Sequence, residues 1–76
     1  MNNLKKVSIG MSVNEAVEIM GKPIDTVDYF KEPVIEAYYY EAPFLNSDGI
    51  YIGFDDKGKV NFIKSDKGEI KTKKEP

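Results

Sequence analysis

The chain has 76 residues, 41% hydrophobic and 32% charged, with a formal net charge of −2. That is the mixture of one small globular domain, and it excludes a disordered polyelectrolyte and a long apolar run of the kind that crosses a bilayer as a helix. All 11 basic residues are lysine, and Cys, His and Trp are missing. Disulfide staples, thiolate nucleophiles, imidazole bases and the usual zinc sites are thereby excluded together. Without arginine there is no bidentate guanidinium for guanine or phosphate, which argues against nucleic-acid recognition. Stability must come from packing or from association with another chain.

The segment from Met1 to Ser12 carries Lys5 and Lys6 but no apolar stretch of the signal-peptide kind. The chain as written is expected in the cytoplasm, or in the cell envelope if it is a trimmed mature form. The clearest local signal begins at Ser12. Ser12-Val13-Asn14-Glu15 is a capping box, in which the Ser12 hydroxyl and the Glu15 carboxylate each satisfy a free amide at a helix start. Val13, Ala16, Val17 and Met20 then recur at helical spacing. Met11 and Ala16 are placed to form a hydrophobic staple. Gly21 can close the helix and Pro23 prevents its resumption, so the element spans only about two turns. A helix this short needs a sheet to cover its apolar stripe.

Beyond Pro23 the chain reads as strands. Ile24 to Lys31 and Val34 to Glu41 are rich in β-branched and aromatic residues, with a turn at Glu32-Pro33 and a stop at Pro43. Ala42 to Asp48 is a loop, and Gly49 to Phe54 alternates as a strand should. Asp55 to Lys59 suits a type I turn with Gly58 in the left-handed region, returning the chain as Val60 to Lys64. Residues 66–76, mostly lysine, acid and glycine with a lone Ile70, read as a flexible charged tail on a single domain spanning 1–65. The expected fold is α+β: a two-layer sandwich with one short N-terminal helix on a three- to four-stranded antiparallel meander.

Strand alternation assigns the faces. Ile35, Ala37 and Tyr39 carry no charge, whereas Glu36 lies among Val34, Tyr38 and Tyr40. The first set is expected to meet the helix together with Ile50, Ile52, Phe54, Val60 and Phe62, with Val17 and Met20 buried against Ala37, Ile52 and Phe54. That leaves Tyr38, Tyr40, Tyr51 and Ile63 on the opposite face.

Ile9-Gly10-Met11-Ser12, then Glu15-Ala16-Val17, then Met20-Gly21-Lys22-Pro23, with Tyr38-Tyr39-Tyr40 and Phe54-Asp55…Gly58-Lys59-Val60 further on, form a pattern across residues 7–63. This pattern resembles the SmpA/OmlA (BamE-like) family of small outer-membrane assembly lipoproteins, related in fold to β-lactamase-inhibitor-protein-like domains. The resemblance implies a non-catalytic binding domain that supports assembly of outer-membrane β-barrel proteins. Gly10, Met11, Ser12, Glu15, Gly21, Pro23 and Gly58 carry structural duties in it. The lipoprotein branch has a lipidated cysteine and a strand tryptophan, and this sequence has neither.

Other chemistry reads weakly. Asp55, Asp56 and Asp66 lack the ligand spacing of a calcium loop. Glu36 and Glu41 stand an odd number of residues apart on one strand and point to opposite faces. No Gly-Lys-Ser/Thr opens a helix after the glycines at 49, 53 and 58. The lysines from Lys71 to Lys74 are interrupted by Thr72 and followed by Glu75, as in a solvated tail. No catalytic constellation, metal site or cofactor is expected. Tyrosine, by contrast, supplies large contact area at small entropic cost and is enriched at interfaces, although cross-strand pairing also accounts for the cluster. Tyr38, Tyr40, Tyr51 and Ile63 are therefore the expected docking residues for a protein partner or a second copy. A cytosolic inhibitor- or immunity-type binding module is the alternative to the BamE-like reading.

Overall fold

The computed structural model describes residues 3–31, 33–42 and 45–72. Glu32, Pro43, Lys73, Lys74 and Glu75, on which parts of the turn, strand-stop and tail expectations rest, lie outside the described residues. In chain order the elements are a 3-10 turn at Asn3–Lys6, the helix α1 at Val13–Met20, and strands β1 Asp25–Lys31, β2 Val34–Tyr40, β3 Ile50–Phe54, β4 Val60–Lys64 and β5 Ile70–Thr72. The strands pair antiparallel in the order β1-β2-β3-β4-β5. The fold is α+β, but the sheet has five strands rather than three to four.

The capping box forms. The Glu15 amide donates to Ser12 Oγ at 3.2 Å, and the Ser12 amide donates to Glu15 Oε1 at 3.2 Å. Replacing Ser12 with Ala removes one of these acceptors and is expected to lower stability by about 0.5–2 kcal/mol, read from the midpoint of urea unfolding. The helix start is also tied to the sheet. Gly10 N–H donates to the Val60 carbonyl at 2.8 Å, Val60 N–H to the Met11 carbonyl at 2.7 Å, and Val13 N–H to the Gly58 carbonyl at 3.1 Å. At the other end Gly21, with φ of 86°, closes the helix by donating to the Val17 carbonyl at 2.7 Å. That backbone conformation is one only glycine adopts cheaply.

The fifth strand grows from a repeated turn. In Asp55-Asp56-Lys57-Gly58-Lys59, Asp55 N–H donates to the Lys59 carbonyl at 2.9 Å, and Asp55 Oδ1 accepts from the amides of Lys57 and Lys59. In Ser65-Asp66-Lys67-Gly68-Glu69, Ser65 N–H donates to the Glu69 carbonyl at 2.8 Å, and Ser65 Oγ accepts from the amides of Lys67 and Glu69. Gly58 and Gly68 have φ of 73° and 85°. The second turn sends residues 70–72, expected in the tail, back along β4.

Two apolar clusters lie on opposite sides of the sheet. The larger, on the helix side, holds Leu4, Val7, Ala16, Tyr40, Ile50, Ile52, Phe54, Val60 and Ile63. The smaller consists of Val34, Ala37 and Phe62, with Val27 and Tyr51 packed on it. Several face assignments are thus corrected: Tyr38, Tyr40 and Ile63 face the helix, while Ala37 and Phe62 face away from it. Ala16, fully buried, holds the centre of the helix contact, and Val17 is only partly buried.

Tyr38 and Tyr40 share the inner face of Ile52 and Ile50 through an unbroken β2–β3 register, whereas the pairing is irregular at two other points. On β4, Gly53 pairs with Phe62 but Phe54 pairs with Val60, so Asn61 is an extra residue. This bulge puts Val60 and Ile63 on one face where strict alternation puts Val60 and Phe62. Asn61 is buried, its Nδ2 donating to the Pro33 carbonyl at 3.1 Å. On β2, the pairing with β1 shifts between Asp28 and Lys31, and Val34 joins Ala37 on the face away from the helix.

Candidate functional site

Residues paired across adjacent strands share a face, so the register defines the surface away from the helix. One row runs Asp25, Tyr39, Tyr51, Lys64, Ile70, and the next runs Val27, Ala37, Gly53, Phe62, Thr72. Ala37 and Phe62 form a buried floor, whereas Asp25, Ile70 and Thr72 are exposed and Val27, Tyr39, Tyr51 and Lys64 are half-buried. The described residues packed into this cluster all come from the strands themselves.

The centre of the surface is an aromatic pair. The Tyr39 and Tyr51 ring centroids are 4.9 Å apart and tilted by 50°, and Lys64 Nζ lies 6.0 Å from the Tyr51 centroid. Two glycines make room beneath. A Cβ at Gly49 would overlap the Tyr39 ring, and one at Gly53 would run into Val34.

Of the four expected docking residues, only Tyr51 lies on this surface. Tyr40 is 7% exposed, and its hydroxyl donates to the Gly21 carbonyl at 2.9 Å, tying β2 to the end of α1. Tyr38 packs edge-on against Phe54, with ring centroids 4.9 Å apart. Ile63 is buried beside Leu4 and Val7 in the helix-side cluster. Sequence reasoning placed Tyr39 with the helix and gave Ile70 and Val27 no role. The register by which Tyr39 faces Tyr51 is the signal that finds them.

Burial raises the pKa of Tyr38, with the Glu36 charge adding to the effect. Burial also raises that of Tyr40, with Tyr38 adding to it. A folded-state pKa above the unfolded value means that the native state holds its proton longer. The associated stability is fully present below the unfolded tyrosine pKa of about 10 and is lost as pH rises through the folded values. Stability is therefore expected to fall above about pH 10, with less loss in Tyr40→Phe; chemical denaturation across alkaline pH measures this.

Two recesses lie elsewhere. An open groove of about 370 Å³ is lined by Asp28, Ile35, Glu36, Asp55 and Asp56. Glu36 thus reaches solvent at the rim of the helix-side face, which is why its charge does not expel Tyr38 and Tyr40 from the core. A smaller pocket of about 140 Å³ has Leu4, Val7, Ile63, Asp66 and Lys71 in its wall. Among the described residues no group of three or more acidic side chains is placed to hold a metal ion. No helix among them is long and apolar enough to cross a membrane, which says nothing of spanning by strands. Comparison of the chain with family models, with curated proteins and with solved structures finds no match.

Proposed function

We propose that the chain is a non-catalytic protein-binding domain that docks its partner on the sheet face away from the helix. The observation that carries this reading is the Tyr39–Tyr51 pair, with Tyr51 packed on the cluster of Val34, Ala37 and Phe62, Tyr39 lying over Gly49, and Lys64 beside Tyr51. Rigid aromatic side chains over an apolar floor, rimmed by charge, have the composition of an interface centre. The Gly10-Met11-Ser12 and Gly21-Lys22-Pro23 pattern supports placing the domain with BamE-like outer-membrane assembly factors. An inhibitor- or immunity-type module would use the same face.

The test is affinity purification of the tagged chain from its own cell extract, comparing wild type with Tyr39→Ala, Tyr51→Ala. The double variant is expected to stay folded by circular dichroism and to lose its bound protein about tenfold or more. Equal recovery by a folded double variant would overturn the assignment of this face. A β-barrel assembly component in the eluate favours the first identity, and a soluble enzyme or toxin the second.

A further inference from the structure

The open face is complementary to itself. Asp25 on β1 and Lys64 on β4 stand in one row, three strands apart, or about 14 Å at the usual strand spacing, with Ile70 on β5 beyond Lys64. That is too far for an ion pair within one chain, and between them lie Tyr39 and Tyr51. We propose that this face packs on the same face of a second copy, about a twofold axis running along the strands between β2 and β3. This rests on the reading of the face as a protein-docking surface and names its occupant.

That axis sets Asp25 of each chain against Lys64 of the other and Tyr39 against Tyr51. In the next row it sets Val27 against Phe62 and Ala37 against Gly53. Opposite charges meet at the flanks of the first row and the half-buried Tyr39 and Tyr51 meet at the axis, while Ala37 and Gly53 of the next row are already buried within each chain. Moving the axis onto β3 sets Asp25 against Ile70, and moving it onto β2 leaves Lys64 outside the overlap. An axis across the strands sets Asp25 on Val27 and Lys64 on Phe62, stranding each charge on hydrocarbon. The chosen axis alone pairs both charges, and it suits the aligned packing of two twisted sheets about 10 Å apart.

The molecule measures 35 × 22 × 22 Å, so the overlap falls below the ~800 Å² per partner of a standard interface, in the size range of weak, transient contacts. Sedimentation equilibrium from about 5 to about 500 μM is expected to show a monomer–dimer equilibrium. Asp25→Lys and Lys64→Asp each put two like-charged pairs in the homodimer and are expected to weaken it about tenfold or more. An equimolar mixture of the two variants restores dimer, because both pairs in the mixed dimer are then opposite. Circular dichroism checks that each variant is folded.

Wild type that stays monomeric throughout would overturn the proposal. So would single variants that dimerise like wild type, or a mixture that stays monomeric. A monomeric wild type whose Tyr39→Ala, Tyr51→Ala variant still loses another protein in the affinity purification overturns only the choice of occupant. If that variant also retains its protein, the docking surface itself fails.

Discussion

Replacing Tyr40 with Ala is expected to cost the domain about 3–5 kcal/mol, the usual loss when a buried aromatic ring is removed from a packed core. A domain of this length holds only roughly 4–11 kcal/mol in total, so the variant loses most of its stability. The reason is geometric. The ring lies in the same cluster as Ile50, Ile52 and Ala16, and its hydroxyl donates to the carbonyl of the residue that closes α1. Tyr40→Phe keeps the ring and loses only the hydrogen bond, for about 0.5–1.5 kcal/mol. Guanidinium unfolding of the two variants separates these contributions. A mild Tyr40→Ala phenotype would show that the ring does not lie in the core.

Ala16→Asp is expected to be as damaging or worse. Ala16 has no exposed surface and lies where α1 meets the sheet, so a carboxylate there must be desolvated without a partner or stay protonated, at a cost of several kcal/mol. Val17→Asp, one residue on, should cost about 1 kcal/mol, because that side chain is only partly buried and its carboxylate can reach water. Thermal unfolding of the pair measures the contrast. Equal effects would mean that the helix is rotated about its axis from the orientation described.

The same contrast shows how far the sequence can be read. Residues 13, 16, 17 and 20 and residues 13, 16, 19 and 20 both make an acceptable apolar stripe. Only the angle at which the helix lies on the sheet selects Ile19 over Val17. The fifth strand was legible in principle. Asp56-Lys57-Gly58 returns as Asp66-Lys67-Gly68, and a second turn of the same composition promises a second hairpin. The strand it feeds contains a single apolar residue, and Ile70 is 59% exposed, so composition alone marked the segment as tail.

Much of the local backbone chemistry is legible in short stretches of the sequence. The capping box at Ser12 and Glu15, the closure at Gly21, the positions of the central strands and the Asp55-to-Lys59 hairpin all arise from short-range hydrogen bonds and glycine conformations. These do not depend on what lies across the sheet. On β3 the alternation of Ile50, Ile52 and Phe54 also marks the inner face correctly, whereas on β2 and the second half of β4 only the pairing of strands decides which side is inside. Side chains alternate with a period of two, so one unpaired residue exchanges the faces beyond it. Asn61 becomes that residue only when β4 pairs with β3. Both parities of Tyr38-Tyr39-Tyr40 are apolar enough to be buried. It was the partner strands, Ile52 opposite Tyr38, Tyr51 opposite Tyr39 and Ile50 opposite Tyr40, that sent two of the rings into the core and left the third beside Tyr51 on the open face.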